Sequence, residues 1–288
     1  MRDSVGPSLA VGFFDGVHLG HQEILRGADR ALTFRNHPLS VLAPARAPRL
    51  IMSLDDRLAA IRACGVREVV ALDFTPELAA LSPEDFVARH LTPKGTDPRP
   101  TIRCGANWTF GAGGVGDAVR LREMGFDVSV VPYARWNGAP ISSSRIRATL
   151  AEGDVAAATA MLGHPFCLTG EVVRGKGLGS QLGFPTVNVR LSERRVALRR
   201  GVYEVVVAGV HGLANYGVAP TLGAQSWPTP VLEIHFPACA AASVPAAPFT
   251  VVFVRFLREE RAFASLTDLT RQIARDCQAV RFGSSPLA

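Results

Sequence analysis

The sequence predicts an α/β domain built on a mostly parallel sheet, followed by a six-stranded antiparallel β-barrel with a terminal helix. Three observations carry that prediction. Over roughly the first 150 residues, short β-rich apolar runs alternate with capped helical patterns, which implies strand–helix–strand units. From Phe166 to Arg258 the pattern is strands alone, punctuated by Gly and Pro. Beyond Ser265, apolar residues return at helical spacing.

In the first half, Ser8 to Phe13, Ala31 to Phe34, Glu68 to Phe74, Thr101 to Cys104 and Val128 to Tyr133 read as buried strands. Ser53 caps a helix whose first turn carries Asp55 and Asp56, and Ser82-Pro83 starts another with Asp85 at its third position. A parallel sheet of this kind needs helices on both faces, and its ligands sit at the carboxyl ends of the strands. The helical stretches Ser143 to Glu152 and Asp154 to Leu162 are expected to close this half. The domains expected are residues 1–163 and 164–288.

The second half offers Phe166 to Arg174, Thr186 to Leu191, Gly201 to Val210, Gly212 to Ala219, Val231 to Phe236 and Phe249 to Arg258 as strands. Six short strands with turn residues between them close most readily into a barrel. Pro237 to Pro248, rich in Ala and Pro, reads as a surface loop. Ser265, with Asp268 three residues on, forms a helix-capping signature. Leu266, Leu269, Ile273, Cys277 and Val280 then form one apolar stripe, expected to pack on the barrel.

Composition excludes several classes. The 288 residues are 48% hydrophobic and 19% charged, too apolar for a disordered chain. The longest apolar run, Val251 to Leu257, is interrupted by Arg255, so no membrane helix is expected. Met1 to Gly12 lacks the features of a secretory signal, which places the protein in the cytoplasm. Five scattered cysteines, never in a CxxC pair, disfavour a disulfide framework or zinc site and read as buried small hydrophobes. A net charge of +6 from dispersed residues suits small anions, and no nucleic-acid partner is expected.

Gly12-Phe13-Phe14-Asp15-Gly16-Val17-His18-Leu19-Gly20-His21 follows the first strand and opens the first helix. Its glycines let backbone approach a ligand, and the helix start presents free N–H groups. His18 and His21, three apart, share one face of that turn. Partly protonated near neutral pH, and more so beside a triphosphate, they suit charge developing on a phosphate under attack. Alone, an HxGH tetrapeptide fits a Gly-rich turn with two surface histidines equally well.

The whole run, however, resembles the nucleotide-binding signature of the HxGH nucleotidyltransferases, specifically the adenylyltransferase half of the bacterial bifunctional riboflavin kinase/FMN adenylyltransferase (FAD synthetase) family. Thr33-Phe34-Arg35-Asn36-His37-Pro38 resembles that family's TFxxHP segment. Cys104 to Gly111 is similar to its GxNFxFG segment, and Ile141 to Arg147 to its SSTRIR segment. The resemblance implies a Rossmann-like nucleotidyltransferase domain. It makes His18, His21 and Arg147 catalytic, with Arg147 supplying positive charge near the leaving pyrophosphate. It places Gly12, Phe14, Asp15, Gly16, Gly20, Asn107, Ser143 and Ser144 against nucleotide or flavin. Two departures stand out: Phe13 occupies a position where the family usually has Asn, and only eleven residues separate His21 from Thr33. Both motivate an alternative reading, a riboflavin kinase with a degenerate N-terminal half.

The second constellation runs from Gly170 to Asn188. Its Gly-rich loop lets backbone N–H groups surround phosphate oxygens, and Thr186 and Asn188, two apart on the following strand, point to one face. A hydroxyl and an amide oxygen there suit Mg²⁺ together with nucleotide oxygens. The run resembles the riboflavin kinase signature ending in PTxN. By that resemblance Gly175, Lys176, Gly177, Gly179 and Pro185 contact nucleotide or flavin, and Thr186 and Asn188 serve the metal. Leu213 to Gly217 and Ala219 to Gly223 are similar to the family's GVANIG and RPTVG segments, and Glu233 matches its catalytic Glu, the acceptor of the ribityl 5′-hydroxyl proton. Arg258, Glu260 and Phe263 match its LRxExxF segment, with structural roles expected. The resemblance therefore implies ATP, riboflavin and FMN as small-molecule partners and Mg²⁺ as cofactor, with self-association into a homo-oligomer left open.

Overall fold

The computed structural model describes residues 7–92, 99–173, 183–192, 194–217, 231–237 and 249–280. The chain divides into two compact units, Met1–Arg145 and Ile146–Ala288.

The first unit holds a five-stranded sheet of β1 (Ser8–Val11), β2 (Arg30–Phe34), β3 (Glu68–Leu72), β4 (Thr101–Gly105) and β5 (Val128–Val131). Every pairing is parallel, and the order is β3-β2-β1-β4-β5. Alternation along β1 explains the layers. Leu9 and Val11 face a cluster with Phe86, Ile102 and Leu121, whereas Ala10 faces one with Ile24, Leu25 and Ile61. The helices of this unit are α1 (Leu19–Leu25), α2 (Leu39–Leu42), α3 (Leu54–Ala63), α4 (Pro76–Ala79), α5 (Pro83–Phe86) and α6 (Ala118–Glu123). Ser53 and Ser82 cap α3 and α5 as their sequence signals predict. The short first crossover is complete: α1 makes seven residues, and Gly27 at φ 73° turns the chain toward β2. Strand order reverses direction at β1, between β2 and β4, so the switch point lies where the Gly12–His21 run emerges.

The sequence reading names none of α2, α4 and α6, and it also misses a hairpin. Arg135–Trp136 (β6) and Ala139–Pro140 (β7) form a hairpin around Asn137 (φ 48°) and Gly138 (φ 75°). Asn-Gly is a strong signal for this tight turn.

In the second unit, β8 (Cys167–Val173), β9 (Thr186–Arg190), β10 (Gly201–Val207), β11 (Val210–Gly217), β12 (Val231–His235) and β13 (Phe249–Arg258) form the expected closed barrel, in the order β10-β11-β12-β9-β8-β13. Val189, Tyr216 and Leu232 form one buried row, and Ala214 with Ile234 begin the next. α7 (Ser143–Ala151) crosses the division between the units, and α8 (Val155–Leu162) belongs wholly to the second. The expectation that α8 closes the first half therefore meets a different arrangement: its face of Ala157, Ala158, Met161 and Leu162 is buried, and the helix packs against β13.

The terminal helix, α9 (Leu266–Ala279), docks on the barrel, but not through the whole predicted stripe. Leu266 is 65% exposed, and Leu269, Ile273 and Cys277 are half-buried. Val280 packs with Val202 and Leu213, while Asp276 receives Arg258 Nε at 2.9 Å and Nη2 at 2.7 Å. An ion pair thus does much of the anchoring expected of apolar residues. The cysteines also depart from expectation: Cys104 is buried, but Cys64, Cys167 and Cys277 are half-buried, and Cys239 lies outside the described residues.

Candidate active sites

The loop after β1 is held in a conformation that local preference opposes. Phe14 (φ 58°) and Val17 (φ 37°) are left-handed, a cost of about 1–3 kcal/mol each for non-glycine residues. Both are 1% exposed in the cluster with Ile24, Leu25 and Ile61, so packing over-determines the strained loop. Gly12 is required, since a Cβ there would lie 2.8 Å from the Phe14 ring. Phe14 and Asp15, expected against ligand, are 1% and 2% exposed. The Asp15 carboxylate accepts from Ile51 N (3.0 Å) and Met52 N (3.3 Å).

His18 caps α1: its Nδ1 accepts from His21 N at 3.3 Å, which leaves the ring proton on Nε2. The two imidazoles stack, with centroids 3.6 Å apart and planes at 17°, so the three-residue spacing does bring them to one face. Gly20 makes room, because a Cβ there would press within 3.3 Å of His18 Cε1. Burial, then the His18 and Arg57 charges, hold His21 well below its ordinary pKa, and its Nδ1 is buried without a partner. The expectation of a partly protonated His21 meets a setting in the ligand-free protein where burial disfavours the charged form.

Ser143 Oγ donates to the Asp15 carbonyl at 2.9 Å, tying the start of α7 to the loop. Ser144 is exposed at the same helix start. Arg147 follows on α7, half-buried, in the second unit. Asn107 is exposed just past the carboxyl end of β4. Thr33 Oγ1 donates to the Phe13 carbonyl, and His37 meets the Phe13 ring edge-on at 4.7 Å.

One residue here escapes the sequence reading. Arg57 on α3 is 0% exposed, its guanidinium lying 4.0 Å from the Phe13 centroid. Its Nη2 donates to the carbonyls of Phe34 and Arg35, whereas Nε and Nη1 are buried without partners. Burial pushes its pKa down to about 10 against the opposing pull of Asp15. A signal existed: Arg57 stands four residues before buried Ile61, on the inner face of the helix.

On the barrel, strand register assembles the second site. Glu233 on β12 pairs with Asn188 on β9 on one side and with Asn215 on β11 on the other. All three alternate with interior Val189, Leu232, Ala214 and Tyr216, so they share the outer face. Asn188 is 7% exposed with Oδ1 buried and unpartnered, an oxygen acceptor with no internal use. Thr186, two residues back on the same face, is half-buried and pairs with His235, whose Nδ1 donates to the Pro185 carbonyl at 3.0 Å. Neutral oxygen donors of this kind fit a hard cation such as Mg²⁺. Gly175, Lys176, Gly177 and Gly179 lie outside the described residues.

Comparison with known proteins follows this division. The family model described as FAD synthetase matches residues 2–145, across Phe13 and the short crossover, and that described as riboflavin kinase matches 162–282. The bifunctional riboflavin kinase/FMN adenylyltransferase of Escherichia coli K12 is 35% identical over 94% of this chain and 90% of its own length. That of Pseudomonas fluorescens is 36% identical over 98% and 94%. A crystal structure of a protein named as a macrolide-efflux protein from Streptococcus pneumoniae superposes with a TM-score of 0.81 at 27% identity, covering 97% of this chain and 95% of that one. Among the described residues, no helix is long and apolar enough to cross a membrane. A stacked HxGH pair beyond a parallel sheet, an Asn–Glu row on a closed barrel and these full-length matches lead to one assignment: the chain belongs to the bifunctional riboflavin kinase/FMN adenylyltransferase family.

Proposed function

We propose that this protein makes FAD from riboflavin in two ATP-dependent steps, the barrel unit phosphorylating riboflavin to FMN and the α/β unit adenylylating FMN. One observation carries the reading: each unit holds its own constellation, stacked His18 and His21 in the first and Asn188 beside Glu233 in the second.

In the kinase step Glu233 takes the proton of the ribityl 5′-hydroxyl as that oxygen attacks the γ-phosphorus, the bond to the β-phosphate oxygen breaks and ADP leaves. Thr186 and Asn188 would hold Mg²⁺, which would supply positive charge to offset that of the nucleotide phosphates. The unpartnered Asn188 Oδ1 supports this. Pro185, Gly175, Lys176, Gly177 and Gly179 are assigned to nucleotide or flavin binding.

In the adenylyl step an FMN phosphate oxygen, already ionised, attacks the α-phosphorus of ATP and pyrophosphate leaves. His18 presents Nε2–H to the phosphate oxygens, and His21, whose charged form burial disfavours without ligand, is drawn toward that form beside the triphosphate. Gly12, Gly16 and Gly20 allow close backbone approach, with Phe14 and Asp15 holding that backbone in place. Ser143, Ser144 and Arg147 serve the phosphates, and Asn107 the flavin side. The functional boundary falls between Gly163, the left-handed cap of α8, and His164, just inside the riboflavin kinase match. The enzyme works in the cytoplasm on small molecules, without nucleic acid.

The test is incubation of purified protein with riboflavin, ATP and Mg²⁺, followed by chromatography of the flavins over time. FMN appearing before FAD is expected. FMN accumulating without FAD, even when FMN is supplied, would reduce the protein to a riboflavin kinase.

A further inference from the structure

The Asn188–Glu233 pair continues one strand further, and that extension is built as carefully as the pair itself. Asn215 stands opposite Glu233 on β11, and its Oδ1 is buried with no partner. Its Nδ2 donates to Glu260 Oε1 at 3.0 Å, which fixes the amide so that its acceptor oxygen is turned away from Glu260. Glu260 follows β13, and its carboxylate sits against Gly217, where an added Cβ would collide with it. Gly217 thus leaves the seat in which Glu260 grips Asn215.

A buried amide oxygen without a donor is unfavourable in the empty protein and awaits a partner that carries O–H, N–H or positive charge. The two strands are separated by β12, so their backbones lie about 9.5 Å apart and Asn215 stands two strands away from Asn188. Glu233 stands between them, with the proposed metal and nucleotide on the Asn188 side. In an in-line transfer the hydroxyl substrate approaches opposite the leaving nucleotide, which is the Asn215 side.

We infer that Asn215 is a substrate-positioning residue of the kinase site, its Oδ1 accepting a hydrogen bond from a secondary hydroxyl of the polyol chain of the flavin substrate, and that Glu260 positions it. The inference rests on the kinase reading above. It explains how a single carboxylate selects the terminal hydroxyl of a chain bearing several: a neighbouring hydroxyl is held at Asn215 while the terminal one reaches Glu233.

The experiment uses the full chain with ATP and Mg²⁺ and compares riboflavin with a flavin carrying a 5-hydroxypentyl chain, which keeps the terminal hydroxyl and lacks the others. Wild-type protein that phosphorylates neither flavin would overturn the kinase reading itself. Given an active wild type, Asn215→Leu should raise KM for riboflavin about tenfold, the worth of one hydrogen bond. KM for ATP should stay the same, and the preference for riboflavin over the hydroxypentyl flavin should fall by the same factor. Glu260→Leu should reproduce that loss, and Glu260→Gln, which still offers a carbonyl acceptor, should restore most of it. If Asn215→Leu does not fold, Asn215→Ser gives the same comparison with a smaller change. An unchanged preference between the two flavins, or a rise in KM for ATP instead, overturns the inference.

Discussion

The guanidinium of Arg57 lies 4.0 Å from the centre of the Phe13 ring, wholly buried, with Nη2 bonded to the last carbonyl of β2. This stack joins α3, β2 and the loop that carries the histidines. Arg57→Ala removes the cation–π contact and the carbonyl donors and leaves a cavity. It should destabilise the first unit by about 3 kcal/mol. A lowered first transition in thermal unfolding checks this, with FMN formation by the barrel kept as the internal control.

His21 makes stability depend on pH. Its folded pKa is lowered well below the ordinary 6.5, first by burial, so the unfolded chain binds a proton that the folded one refuses. Stability from this group is complete above about pH 6.5 and is lost as pH falls toward the folded pKa, with a slope of at most about 1.4 kcal/mol per pH unit. The melting temperature of the first unit should drop between pH 7 and 5. In His21→Gln that drop should shrink, and an undiminished one would assign the acid sensitivity elsewhere.

Asn188 and His21 lie in different compact units, so their losses should separate. Asn188→Ala is expected to abolish FMN formation from riboflavin, a loss above a hundredfold, while FAD still forms from supplied FMN. His21→Ala should do the converse and halt the flavin at FMN. Chromatography of both reactions for both variants decides the matter. Loss of both activities in either folded variant would refute the separation.

The terminal helix depends on a charge pair. Asp276 is 7% exposed and accepts from two Arg258 nitrogens and from Gln272 Nε2 at 2.7 Å. Asp276→Ala leaves the Arg258 cation unpaired in a part-buried position, costing about 3 kcal/mol. Hydrogen exchange should show α9 losing protection before the barrel strands do, and proteolysis should cut there first.

Much of this was legible in the residues. The alternation of β-rich and capped helical runs specified the parallel sheet, and Ser53, Ser82 and Ser265 capped the helices that their local chemistry called for. The Gly12–His21 run was readable as a phosphate-binding turn because its spacing is local: three residues bring His18 and His21 to one face of the helix start. Hairpin β6–β7 was readable from Asn137-Gly138 and went unread.

What required the tertiary structure is of another kind. Spacing from Ile61 puts Arg57 on the inner face of α3, but only the tertiary structure places it under Phe13, because that contact is set by how α3 meets the loop beyond β1 and β2. Nor does any spacing join Asn188, Asn215 and Glu233, which meet only because barrel closure fixes the register of β9, β12 and β11. Side chains alternate along a strand, so a slip of one residue in either ladder would send Glu233 and its neighbours to opposite faces. By itself the sequence determined the elements and the residue types that phosphate chemistry needs. The hydrogen-bond ladders, with period-two packing of the barrel interior, decided which of those residues stand side by side.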